Sequence, residues 1–152
     1  MPRVTNRYSV MIKAQPDSVF NYVADLTQHP EWSGGRLRIE ALSPGPVAVG
    51  SRYRSHGDVA GQKDRPNQLR VTHYQPSSSF VFVAQDPDFG EVTHEFTFNP
   101  ADGGTLMERA VSMDMSPLTA IMFKFVVRPL IGKPMMDKSL AALRSKLEQR
   151  AT

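Results

Sequence analysis

Between Ala14 and Trp32 the chain reads AQPDSVFNYVADLTQHPEW, a short amphipathic helix set directly between strand-like stretches and followed at once by a second turn. Pro16 has a preset φ and no N–H to lose, so it suits the first helical position, and Asp17 and Ser18 behind it favour the positive end of the helix dipole. Val19, Val23 and Leu26 recur at spacings of four and three with Phe20 and Ala24 beside them, which gives one stripe to bury. His29 precedes Pro30 and is biased away from the helical region, so a turn is expected there, with Glu31 and Trp32 opening another short helical or irregular segment. A helix this short is stable only when its apolar stripe packs on a larger surface.

Strands supply that surface. Residues 3 to 13 place Val4, Tyr8, Val10 and Ile12 on one phase, with Asn6 interrupting it and Thr5, Arg7 and Lys13 mostly on the other. Leu37, Ile39 and Ala41 alternate with Arg36, Arg38 and Glu40, a half-buried strand with one wet face that ends at Ser43-Pro44-Gly45-Pro46. Further strands are expected at 51 to 59, 66 to 75, 79 to 86, 90 to 99 and 104 to 115. The links between them, Gly61-Gln62, Gln75-Pro76-Ser77-Ser78, Asp86-Pro87-Asp88 and Asn99-Pro100-Ala101-Asp102-Gly103, are short enough to join antiparallel neighbours.

From Asp137 to Arg150 the period changes. Leu140, Leu143 and Leu147, preceded by Met136, follow helical spacing while Lys138, Arg144, Lys146 and Glu148 face away. An antiparallel sheet with one apolar face needs a cover, and this is the one segment large enough to provide it. The reading is α+β: a curved, seven-stranded antiparallel sheet wrapped around a long C-terminal helix, with two short helices after the first strand. At 152 residues the chain is expected to form a single domain over 1–152.

Composition narrows the function. The formal charge is +3, from 18 Lys+Arg against 15 Asp+Glu, without a basic arm, so nucleic acid is not an expected partner. No cysteine is present, which removes disulfides, thiolate nucleophiles and Cys-based zinc sites and fits a reducing cytoplasm. The first residues lack the apolar run of a secretory signal. The longest apolar stretch, Leu118 to Val127, contains Lys124, ends at Arg128-Pro129 and falls short of the roughly 20 residues that span a bilayer.

Taken together, Ala14-x-Pro16-x-x-Val19-Phe20-x-x-Val23-x-Asp25, Pro30-Glu31-Trp32, Val49-Gly50-Ser51-Arg52, Gly103-Gly104-Thr105 and the closing Leu140-x-x-Leu143-x-x-x-Leu147-Glu148 resemble the START-like, helix-grip superfamily, also called SRPBCC. Its members include polyketide cyclases, pollen-allergen relatives and lipid-transfer domains. The resemblance implies an internal cavity between sheet and terminal helix, which periodicity alone does not distinguish from a filled core.

Polar residues that break the apolar phases mark a candidate interior. His73 follows Leu69 and Val71; His94 precedes Phe96 and Phe98; Arg109 lies between Met107 and Val111, with Met113 beyond; Ser55 follows Tyr53. A buried arginine keeps its charge, so Arg109 needs a carboxylate, water or a charged ligand, unless a bulge or strand end takes it to solvent. His73, His94 and Arg109 are the catalytic candidates. The candidate ligand contacts are Trp32, Tyr53, Ser55, Val71, His73, Phe82, His94, Phe96, Met107, Arg109, Met113 and Phe123, with Trp32 equally suited to packing. The two histidines fall on strands separated by a third, about 9 to 10 Å apart, and no third ligand, HExxH, phosphate loop or GxSxG elbow accompanies them. No metal or cofactor is expected.

The Leu118–Val127 run reads as a buried first part of the terminal helix or, being apolar on nearly every side, as a gate or a surface touching a membrane or second subunit. The eight methionines suit an adaptable pocket. The leading expectation is a cytoplasmic protein, monomer or homodimer, that binds, transports or sequesters a small hydrophobic ligand, such as a lipid or polyketide-like molecule, with transient membrane contact left open. The resemblance also allows a cyclase or dehydratase that uses a cavity histidine as general acid or base, and a stress-associated interaction module.

Overall fold

The computed structural model describes residues 3–33, 37–59, 62–87 and 90–150. The expected alternation at Arg36, Gly61 of the second turn and Asp88 of the fourth fall outside them. Seven strands, β1 (Arg3–Ile12), β2 (Arg38–Ala41), β3 (Arg52–Val59), β4 (Gln62–Gln75), β5 (Ser79–Asp86), β6 (Gly90–Ala101) and β7 (Gly104–Asp114), form one sheet in the order β1-β7-β6-β5-β4-β3-β2. All the pairings are antiparallel. The curved sheet and its long C-terminal helix make the helix-grip arrangement that the periodicities imply.

The first helix, α1 (Pro16–Ala24), begins with Pro16 at its first turn and Asp17 behind it, as its sequence requires. It buries Val19, Phe20, Tyr22, Val23 and Ala24 against the sheet. Phe20 is the anchor: it meets Tyr74, Phe80 and Phe98 edge-on at centroid distances of 5.2, 6.5 and 5.3 Å.

The turn expected at His29-Pro30 lies earlier, at Asp25, whose carboxylate accepts from the Thr27 N–H. A 3₁₀ helix then runs from Leu26 to Glu31, straight through His29 and Pro30. Proline's fixed φ fits 3₁₀ geometry, and the pre-proline bias at His29 yields to burial of its ring and to an Nε2–H bond of 2.7 Å to the Val23 carbonyl. The segment is tied back to α1 by the Tyr22 hydroxyl, which donates to Glu31 Oε1 at 2.6 Å.

The terminal helical region is longer and less interrupted than expected. It comprises α2 (Pro117–Met122), a π-helical segment (Phe123–Gly132) and α3 (Lys133–Arg150) without a break. Pro129 lies within the π-helical segment, where the i→i−5 pattern and wider turn relieve the clash between the ring and the carbonyl four residues back. Only the second half packs closely: Ser139, Leu140, Leu143 and Leu147 of α3 are buried, and Glu148 accepts the Lys13 N–H at 2.9 Å. The first half corrects the reading of Leu118–Val127 as buried, since neither α2 nor the π-helical segment contains a buried residue.

The hairpin joining β6 to β7 depends on two glycines with different tasks. Gly103 has φ +77°, and a Cβ on Gly104 would run into the Ile12 carbonyl of β1. Gly104→Ala is expected to push β1 off β7 and to cost about 1–3 kcal/mol, the range for forced overpacking, read from urea-unfolding midpoints. An unchanged midpoint would refute the close approach.

Candidate functional site

Strand register assembles the interior row by row. Phe80 opposes Phe96, Phe96 opposes Arg109 and Arg109 opposes Tyr8, so four side chains line one row across β5, β6, β7 and β1. The next row runs Phe82, His94, Val111 and Asn6. Because paired residues share a face, His94 and Arg109 stand on diagonal positions of the same surface, under α3 and the 3₁₀ helix.

Arg109 is buried, at 9 % exposure. Its Nη2 donates to His94 Nδ1 at 3.0 Å and its Nη1 approaches the Met136 thioether at 3.7 Å. The guanidinium carbon lies 5.0 Å from the Phe96 ring centroid and 5.8 Å from that of Trp32. Among the described residues no carboxylate forms an ion pair with it. Within the described residues, Nε of Arg109 and Nε1 of Trp32 are both buried donors without an acceptor. Burial lowers the Arg109 pKa to about 10, which leaves the group charged at neutral pH.

The histidines beside it are neutral. A guanidinium only donates, so Nδ1 of His94 is the acceptor and its proton resides on Nε2. Burial first and the Arg109 charge second hold His94 well below the ordinary histidine range, and its ring stacks on Phe82 at 4.6 Å. His29, absent from the sequence candidates, completes the cluster: its ring lies 4.7 Å from Trp32 and 5.8 Å from Phe82. Its only sequence signal was a His-Pro pair, which reads as a turn.

Burial lowers the His29 pKa from 6.5 to about 3. Between those values the unfolded chain takes up a proton that the folded one refuses, so stability is complete above pH 6.5 and falls as the pH falls. The expected loss from this one residue is about 3 kcal/mol between pH 7 and pH 4. Urea titrations of the wild type and His29→Phe check it: the variant's stability should fall less steeply with acid, and parallel slopes would contradict the assignment.

The other sequence candidates divide. Val71, Phe82, Phe96 and Met107 are buried on the same face, and Met113 is half-buried there. Tyr53 and Ser55 are buried on β3, four strand spacings from β7, and half-buried Phe123 belongs to the π-helical segment. His73 does not join them. A β-bulge between Val71 and His73 inserts Thr72, reverses the phase and leaves His73 exposed, 2.6 Å from Ser79 Oγ.

Two surface hollows, of about 450 and 440 Å³, lie elsewhere: one touches Lys13, Ser18, Leu147 and Arg150, the other Arg52, Arg54, Arg70 and Glu91. Around Arg109 the space between sheet and helix is occupied by rings and by Met136. Among the described residues no cluster of His, Asp or Glu could hold a metal ion, and no helix is long and apolar enough to cross a membrane.

An antiparallel sheet gripping a terminal helix over a donor-rich, ring-lined interior defines a helix-grip protein. The chain belongs to the polyketide cyclase / dehydrase and lipid transport family, whose model matches residues 3–148. No curated protein matches the sequence. Among solved structures it is similar to the Zhui aromatase/cyclase from Streptomyces sp. R1128, with a TM-score of 0.76 and 19 % identity over 99 % of this chain and 97 % of that one. It is also similar to Ara h 8.0201, with a TM-score of 0.67 and 13 % identity over 96 % and 98 %. The di-domain ARO/CYC StfQ of the steffimycin biosynthetic pathway aligns with a TM-score of 0.72 and 14 % identity, over 98 % of this chain and 52 % of that one. At these identities the likeness is one of fold.

Proposed function

We propose that the protein binds a small hydrophobic molecule carrying an electron-rich oxygen, with that oxygen on Arg109 and the apolar body among Trp32, Phe82, Phe96 and Met107. One observation carries the reading: among the described residues Arg109 is a buried cation with no carboxylate partner, and its Nε and the Trp32 Nε1 have no acceptor. Each unmet donor costs about 1–3 kcal/mol, which an acceptor on a guest would recover. A carboxylate, phenolate or enolate oxygen supplies both acceptor and charge. Met136 is the side chain that gives way, since a thioether at 3.7 Å from Nη1 is a weak partner and methionine adapts its shape readily. The family description, which names both cyclase chemistry and lipid transport, supports a greasy guest of this kind.

Native mass spectrometry of the purified protein, followed by extraction of bound small molecules, tests the proposal. So does calorimetry with 2-naphthoate against 2-methylnaphthalene, where the acid should bind at least tenfold more tightly. Equal affinity for both, or retention of neither, would end it.

A second reading, a cyclase-type enzyme, is favoured by one feature. His94 Nε2–H and Arg109 are two donors on adjacent strands, an arrangement that can polarise a carbonyl toward its enolate. With Nδ1 engaged by Arg109, His94 serves as hydrogen-bond donor or acid, and the base must come from elsewhere. Turnover abolished in His94→Gln with binding retained would favour the enzyme over the carrier.

A further inference from the structure

The terminal helical region has two different outer surfaces. Beyond Met136 the exposed positions of α3 are polar apart from Ala141 and include Lys138, Arg144, Ser145, Lys146 and Gln149, the exterior expected of a helix packed on one side. Over residues 117–135 the same exterior is apolar: Leu118, Phe125 and Leu130 are 75, 68 and 72 % exposed, and Ile121, Val126 and Ile131 are about half exposed. The half-buried residues Ala120, Phe123, Val127, Gly132 and Met136 recur at spacings of about four along the inner side, so these exposed side chains point away from the sheet.

Charge on this stretch has one sign. From Met115 to Met136 the sequence contains Lys124, Arg128 and Lys133 and no acidic residue. Lys124 is exposed beside the Phe125 ring, Arg128 leans on Tyr8, and Lys133 shares a surface ion pair with Asp137 at the far end.

We propose that residues 117–135 form a docking face for an anionic lipid bilayer, lying in its interface with the apolar side chains immersed and the lysines among the headgroups. Apolar exposure and positive charge are the two attractions that hold an amphipathic helix in that plane. A second copy of the chain is the poorer occupant, because a two-fold contact sets each cationic patch against its own image. The face rests on side chains apart from the Arg109 cluster, so the inference stands or falls independently of the ligand. It also fits the helix geometry, since no helix of the described residues is long and apolar enough to cross the bilayer.

Flotation of the full chain with phosphatidylcholine vesicles, with and without phosphatidylglycerol, tests this. The protein should float with the anionic vesicles at low salt, and high salt should weaken the association. Lys124→Gln with Lys133→Gln should weaken it about fivefold per charge removed. Phe125→Ser with Leu130→Ser should reduce it roughly tenfold or more while the unfolding midpoint holds, since both side chains are exposed. No flotation with anionic vesicles, or equal flotation with neutral ones, would overturn the proposal. So would a concentration-dependent dimer, seen by light scattering and dissolved by the Phe125/Leu130 pair, in a protein that does not float.

Discussion

Arg109→Met should yield a protein that is more stable and binds its guest less well. The stem of methionine fills much of the arginine's volume, while the buried charge, held by a neutral histidine and ring faces instead of a carboxylate, disappears. Exchanging an uncompensated buried charge for an apolar side chain of similar size stabilises by about 1–4 kcal/mol. Loss of the charged contact should weaken naphthoate binding by about 30-fold or more, the penalty for deleting one side of a buried charge-assisted pair. Opposite signs on the two measurements separate a binding group from a structural one. The His94 pKa should rise in the same variant, since the Arg109 charge is the second cause of its depression. A destabilised Arg109→Met with unchanged binding would recast the arginine as a structural element and remove the basis of the proposed function.

Phe20→Ala should destabilise the fold by about 3–5 kcal/mol, a larger loss than Gly104→Ala or any surface truncation would cause. Phe20 is fully buried and is the one α1 side chain that touches three rings on three different strands, β4, β5 and β6. Its removal leaves a cavity that the strands cannot close, because their spacing is fixed by hydrogen bonds. Phe125→Ala, at 68 % exposure, is the matched control and should shift the urea midpoint by less than about 0.5 kcal/mol. Comparable losses in the two variants would mean that the outer helical stretch is packed in solution.

What could be read from residue order differed between fold and site for a physical reason. Strand positions followed from alternation, because a half-buried sheet imposes a period of two on every strand. The order Pro16-Asp17-Ser18 and the Leu140, Leu143, Leu147 spacing located the packing helices because both are local signals. Arg109 and His94 were legible as polar breaks in apolar phases. Their mutual hydrogen bond was not, since it depends on β6 and β7 pairing with Phe96 opposite Arg109. His29 was hidden because its role comes from a bond to the Val23 carbonyl that the pre-proline rule opposes. The buried Arg65–Asp86 pair, at 3.0 Å across β4 and β5, left no trace in either residue's neighbourhood. The sequence left Leu118–Val127 between a buried and a surface reading, because an apolar helix carries the same pattern whether it is covered by protein or by something outside the chain.

The extra residue at Thr72 divides β4 into two lengths of opposite parity. Before it, the odd-numbered side chains Leu69 and Val71 look into the grip; after it, the even-numbered Tyr74 does, meeting Phe20 at 5.2 Å. Were Thr72 paired in register, with no bulge, the two aromatic rings would exchange destinations, bringing an imidazole under α1 and sending a phenol to water; the bulge is what keeps them where they are. Register at that point, and not only side-chain chemistry, decides how many histidines the interior holds.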